Sequence, residues 1–372
     1  MNGIEQSRRL PPVVYAHVSD VATTAEHERS SLLGFAARLA ALLRSEDGGL
    51  HGGGGQGYFV PISTLTTAEA AQLGITCVDD LFGGVVPHSF VASKAISHPL
   101  VGSGAAAVIG WNDAFAPAIE DIVLPGFTVF AVDDARIAAE RLLARGPLRV
   151  KKTRANAGRG QFVASDLASL ETVLRALDPD ETAQHGLVLE ENLCEMSTFS
   201  VGQVRVPRLM ASYVGTQRQT RNNRGATVYG GSDLMLVRGG FDELLEVVAS
   251  PEIRQAIAQA MRFHVAAQAC FPGLYMSRAN YDILMGRDAQ GAQRSAVLEQ
   301  SWRVGGATGA EIAALEVFLA DPAKRRVRAS CFEIFGASPL PPPHAVVYFR
   351  GIDPDAGALT KYTVLRPDDN PR

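Results

Sequence analysis

NYDILMGRDAQGAQRSAVLEQSWR, residues 280–303, reads as two apolar strands joined by the turn-rich segment GRDAQGAQRS. Asp282 and Glu299 flank that segment, and the midpoint of their numbers falls between Gln290 and Gly291. In a hairpin symmetric about this turn the two carboxylates lie directly opposite on one face, roughly 5 Å apart at their Cβ atoms. Like charges so placed share a proton, pair with a cationic side chain, or bind a hard cation such as Mg²⁺ through their oxygens. The strand period of two puts Ser301 and Arg303 on the face of Glu299 and turns Trp302 away. The spacing admits a metal site with a phosphate-binding guanidinium beside it, or an ion pair in which Arg303 neutralises Glu299.

Upstream, RVKKTRANAGRGQFV (149–163) sets lysines at a strand end and, six residues on, Gly158, Arg159 and Gly160 before another apolar run. Such a turn can bare backbone amides to phosphates while a lysine supplies a point charge; a basic surface hairpin is the plainer alternative. The segment is not a Walker A loop, which needs GxxxxGK[ST]. TQRQTRNNRGATVYGGSD (216–233) brings Arg218, Arg221 and Arg224 together on what reads as an irregular loop. Guanidinium groups there suit an anionic substrate, or simply water.

The rest of the chain supplies the frame. VVYAHV, a helix near 26–44, YFVPI and TAEAAQLG make a small α/β layer. Between them Gly52, Gly54 and Gly57 satisfy GxGxxG, but a dinucleotide site needs a strand before the glycines and a helix after them. From Pro125 the order is strand FTVFA, helix 134–144, strand LRVKK, glycine turn, helix 167–177 and strand GLVLEEN, one α+β module. A third region, from about Glu195 to Ala320, carries FSVGQVRV, LMASYVG, a helix near 251–269 and the hairpin, and SPLPPPH then leads to the strand AVVYFRG. This divides the chain at 1–125, 126–194, 195–320 and 321–372, an α+β protein with an α/β N-terminal layer.

Composition narrows the function classes. The chain has 372 residues, 39 acidic and 35 basic, for a formal charge of −4, without a long basic run. Nucleic acid is therefore an unexpected partner. The four cysteines form no CxxC pair, and neither HExxH nor GxSxG occurs. No apolar run reaches membrane-spanning length and MNGIEQSRRLPP lacks a signal-peptide core, so no membrane role is expected and the chain reads as cytoplasmic.

Taken in order, these segments resemble the ATP-grasp superfamily over roughly residues 85–310. VPHSFVASKAISHPL resembles the segment with the first nucleotide-binding lysine, here Lys94, and LPGFTVF the entry into the lid. RVKKTRANAGRGQ resembles the lysine strand and glycine-rich lid loop, with Lys151 as the second lysine and Lys152 where many relatives have proline. LVLEENL resembles the hinge strand, implying Glu190 and Glu191 beside adenine and ribose, with Glu195 or Thr198 near the ribose-binding place. NYDILMG and LEQSWRVGG resemble the metal hairpin, implying Asp282 and Glu299 as Mg²⁺ ligands and Arg303 near the phosphates. Ser301 stands where the usual pattern, glutamate, any residue, asparagine, has asparagine.

The resemblance, to a bacterial branch with no assigned reaction that is similar to carboxylate–amine ligases, implies ATP held between two α+β subdomains. It also implies a carboxylate activated as an acyl phosphate for attack by an amine or thiol. A small-molecule kinase with Asp233 as base, or a nucleotide-binding protein with little turnover, are the alternatives. Small-molecule substrates and a possible homodimer complete the expected partners.

Overall fold

The computed structural model describes residues 13–53, 56–154, 160–336 and 340–367. Strands β1 (Val13–His17), β2 (Glu46–Leu50) and β3 (Tyr58–Pro61) form a parallel sheet in the order β2-β1-β3. Helix α1 (Glu26–Leu43) crosses it, burying Leu32, Phe35, Ala36, Leu39 and Leu43 at helical spacing. The 52–57 segment thus follows β2 and runs into β3, with no helix after it, so the dinucleotide pattern lacks its helix; Gly54 lies outside the described residues. Strand β4 (Leu65–Thr66), helix α2 (Thr67–Gln72) and strand β5 (Gly84–Val86) complete this region. Gly84 has to be glycine, because a Cβ there would meet Trp302 Cβ at 2.7 Å.

After helix α3 (Phe115–Ile119) comes a second sheet, β6 (Gly126–Val129), β7 (Leu148–Lys152), β8 (Gln161–Ala164) and β9 (Leu187–Glu191), ordered β6-β9-β7-β8. Helices α4 (Val132–Leu143), α5 (Leu167–Arg175) and α6 (Pro179–His185) belong to this unit. One sheet face packs Val129, Leu148, Val150, Leu187 and Leu189 against Ala135, Ala139, Leu142 and Leu170 of α4 and α5. Alternation leaves Lys151, Thr128 and Glu190 on the other face.

The third sheet is the largest. Strands β10 (Cys194–Val206), β11 (Leu209–Arg221) and β12 (Thr227–Arg238) are followed by α7 (Phe241–Val247), α8 (Pro251–Cys270) and the short β13 (Tyr275–Met276), which pairs with β5. Then come β14 (Arg278–Arg287), β15 (Gln293–Ser301), α9 (Thr308–Ala320), β16 (Arg326–Phe335), β17 (Val346–Asp353) and β18 (Gly357–Arg366). Eight of these strands form one sheet, β15-β14-β10-β11-β12-β16-β18-β17. The region from 321 on, read from sequence as an extension with a short strand, supplies three strands at one side of this sheet, β16, β18 and β17. α7 and α8 cover Val201, Val214, Val237, Tyr281 and Ile283 on one face, while α1 and α9 cover Val204, Ala211, Tyr213 and Leu236 on the other. The architecture is α+β with several sheets, and no helix among the described residues is long and apolar enough to cross a membrane.

Candidate functional site

The hairpin β14–β15 has the register its sequence predicts: Asp282 is the cross-strand partner of Glu299, and Asn280 that of Ser301. One residue is extra, because Ile283 pairs with Val297 and leaves Leu298 as a bulge. Trp302 is buried on the far face, its Nε1 donating to Tyr281 Oη at 3.3 Å. The cation on Glu299 is not Arg303 but Lys94, whose Nζ lies 2.7 Å from Glu299 Oε2.

Asp282 is held chiefly through one oxygen. Its Oδ1 accepts from Asn280 Nδ2 at 2.9 Å, from Gln217 Nε2 at 2.9 Å and from Ser200 Oγ at 3.4 Å, while among the described residues Oδ2 accepts no hydrogen bond. Burial, and then the charge of Glu299, push its carboxyl up to about 6 despite those donors. Glu299 is paired with Lys94 while Asp282 has no ion-pair partner among the described residues, Arg303 acting on both, and the oxygen donors of Asp282, Glu299 and Ser301 fit a hard divalent cation. Among the described residues no three His, Cys, Asp or Glu side chains cluster as a metal-binding group. A cation here would rest on two carboxylates and neutral oxygens.

Arg303 makes no ion pair among the described residues and donates to Val304 O at 2.9 Å. Burial and the neighbouring Arg278 press its guanidinium below the ordinary value, against the pull of Glu299, Glu28 and Asp282. Arg278 is buried and paired with Glu311, Nη2 to Oε1 at 2.9 Å, and it also donates to Ser301 O at 3.1 Å and to Arg303 O. The strand exit carrying Ser301 and Arg303 is therefore pinned to α9.

On the second sheet, Lys151 Nζ lies 2.5 Å from Glu190 Oε1, and His98 Nε2 lies 3.1 Å from Glu190 Oε2. Burial opposes ionisation of Glu190, but Lys151 and His98 outweigh it and hold the carboxyl near 2. Glu191 Oε2 is buried without a hydrogen-bond partner among the described residues, an open acceptor at the end of β9. Lys152 turns instead to Glu181, at 2.7 Å.

The two sheets meet through the 3-10 turn Lys94–Ser97. Gln300 Nε2 of β15 donates to Val91 O and Ser93 O at 3.1 and 2.8 Å, and Thr128 Oγ1 of β6 donates to Ala95 O at 2.7 Å. At one end of this turn Lys94 contacts the hairpin, and just past the other His98 contacts β9. The four residue steps from Lys94 to His98 span at most roughly 14 Å of backbone, so the two clusters hang from neighbouring points of one short strap.

The remaining predicted positions lie as follows. Gly160 ends the β7–β8 turn with φ +62° and its carbonyl accepts Lys152 N at 2.9 Å, while Gly158 and Arg159 lie outside the described residues. Glu195 is 73% exposed at its side chain and pairs with Arg287 at 3.1 Å. Arg218 and Arg221 are not on an irregular loop but in β11, and only 222–226 form the turn to β12. Asp233 is clamped by Arg218, Arg366 and Ser330, with its carboxyl below the ordinary value, which makes it a poor proton acceptor. His98, Gln300, Asn280, Tyr213, Arg278 and Glu311 were not singled out from sequence; their partners are 23 to 209 residues distant or, for Asn280 and Asp282, visible only once the register is known.

The family model described as "Protein of unknown function (DUF3182)" matches residues 14–363, nearly the whole chain. The chain belongs to this DUF3182 family. No curated protein matches it. Among solved structures, the DUF3182 chain is similar to the biotin carboxylase domain of Hydrogenobacter thermophilus 2-oxoglutarate carboxylase (13% identity, 96% of this chain and 87% of that one, TM-score 0.49). It is similar also to phosphoribosylamine–glycine ligase of Thermotoga maritima (12%, 96% and 93%, 0.49) and to D-alanyl-alanine synthetase A of Vibrio cholerae (10%, 84% and 100%, 0.44).

Proposed function

We propose that this DUF3182 chain is an ATP-grasp enzyme that uses Mg-ATP to activate a small-molecule carboxylate for attack by an amine or thiol. The observation that carries this reading is the Lys94–Ser97 turn, which joins the paired carboxylates of the hairpin to the buried Lys151–Glu190 pair. Neither half alone points to a nucleotide. Together they offer lysines for phosphate oxygens, carboxylates for a divalent cation and an open acceptor on β9, Glu191 Oε2, for a base or sugar donor.

In the reading proposed, Asp282 and Glu299 hold Mg²⁺ with Ser301 beside them. The ion, when bound, neutralises charge on the phosphates. Lys94 exchanges Glu299 for a phosphate oxygen, and Lys151 does the same with Glu190, which keeps His98 as partner. Arg303 orients the acceptor carboxylate or the transferring phosphoryl group by hydrogen bonds. Catalysis is then positioning and charge balance, without a dedicated base for a nucleophile that is already a carboxylate.

The test is calorimetric titration with ATP in the presence and absence of Mg²⁺, followed by ADP release from pooled carboxylates with amines or thiols. Mg-dependent binding with ADP, inorganic phosphate and a ligated product is expected. A phosphorylated hydroxyl product would mean a kinase, and binding without any ADP a nucleotide-binding protein. Absence of nucleotide binding sinks the reading.

A further inference from the structure

Four residues stand in one register row across four neighbouring strands: Tyr213 on β11, Gly202 on β10, Asn280 on β14 and Ser301 on β15. In the next row stand Gly215, Ser200, Asp282 and Glu299. Gly202 leaves room for a ring, since a Cβ there would come within 2.3 Å of Tyr213 Oη. Tyr213 therefore lies across β10 and reaches the strand beyond it, where its hydroxyl is 3.0 Å from Asn280 Oδ1 and 2.7 Å from Glu311 Oε1. Asn280 is 9% exposed, and its Nδ2 donates to Asp282 Oδ1.

The amide has no freedom to turn over. Its nitrogen faces a carboxylate, which sets the orientation, while its oxygen shares the single Tyr213 hydroxyl proton with Glu311 Oε1. Reversal would set the Asn280 oxygen against Asp282 Oδ1, acceptor against acceptor. Gln217 and Ser200 add two further donors to the same Oδ1, which leaves Oδ2 as the oxygen with no protein donor among the described residues.

We infer that Asn280, held by Tyr213, is a positioning residue that fixes the rotation of the Asp282 carboxylate so that Oδ2 is presented to the divalent cation. The inference rests on the proposed function, of which it is a refinement. Partners of this kind, one bond removed from a metal, change metal affinity about 10–100-fold when lost. Ser301 is the register partner of Asn280 on the same face, so an amide on either strand lies beside the same carboxylate pair. Exchanging the two residues moves the amide without changing composition.

The experiment is Mn²⁺ titration of the nucleotide-free chain by electron paramagnetic resonance, with melting temperature measured on each variant. Asn280→Ser is expected to weaken Mn²⁺ binding about tenfold. The exchange Asn280→Ser/Ser301→Asn is expected to recover affinity to within about threefold of the parent chain, which a purely structural role would not produce. Unchanged affinity in Asn280→Ser, or no recovery in the exchange, overturns the inference. If Asn280→Ser fails to fold, Tyr213→Phe decides: a several-fold loss supports the relay and an unchanged value overturns it. A parent chain that binds no Mn²⁺, with or without ATP, removes the functional reading and this inference with it.

Discussion

The two sheets that meet at the Lys94–Ser97 turn carry their charges differently. On the second sheet Glu190 sits between Lys151 and His98, a closed set of three buried side chains. On the hairpin, Asp282 and Glu299 face each other, with one lysine on Glu299 and only neutral donors on Asp282. The depressed carboxyl of Glu190 and the raised one of Asp282 express the same contrast. A balanced cluster holds structure, whereas an unbalanced one invites a cation.

The largest effect expected is on the second sheet. Lys151→Met leaves Glu190 buried with His98 alone, and breaking a buried pair costs about 3–5 kcal/mol. Chemical denaturation should show that loss, and Lys151→Met/Glu190→Gln should recover most of it. If the single variant is as stable as the parent, the Glu190 cluster is not closed in the sense argued. Next, Glu299→Gln on the hairpin should cost less stability than Lys151→Met, because relief of the repulsion at Asp282 offsets part of the loss of the Lys94 pair, and should weaken Mn²⁺ binding about 100-fold, roughly 2.7 kcal/mol. An equal loss of stability in both variants would erase the contrast.

Acid titration separates the second sheet from the far face of the hairpin. Glu190, depressed from 4.5 to about 2, contributes stability that is complete above pH 4.5 and lost as pH falls through 2. His264, packed behind β14 with Nδ1 2.8 Å from Tyr281 Oη, is lowered by burial from 6.5 to about 4. The unfolded chain binds the extra proton first, so its contribution is complete above pH 6.5 and lost as pH falls through 4. The melting temperature should drop by several degrees between pH 6.5 and 4, and His264→Gln should flatten that slope while leaving the region below pH 4 unaltered. The smallest effect is at Glu195: exposed and paired with Arg287, its change to Ala should alter ATP affinity less than about threefold.

How much of this was legible in the sequence depended on distance along the chain. The facing of Asp282 and Glu299 follows from local alternation about one turn, and only the bulge at Leu298 was hidden. Much of the strand and helix order of the second sheet was readable for the same reason, but the short strand β8 and helix α6 were not. Nor was helix α9, because TGAEIAALEVFLA is apolar nearly all round and buried on almost every side. That the strands from Arg326 to Arg366 join the large sheet is not legible locally, since nothing near them says that β16 pairs with β12. Lys94 on Glu299 and Tyr213 on Asn280 join residues far apart in sequence, and such contacts exist only once the sheets are assembled.

Thr128 ties β6 to the strap between the sheets twice, through its hydroxyl to Ala95 O and through its amide to Pro99 O. β6 is one edge strand of its sheet and β8 is the other. The hairpin turn holds the same unit at a second point, Gln290 Nε2 donating to Arg145 O at 2.7 Å just ahead of β7, so the sheet is fastened near two of its strands rather than at one.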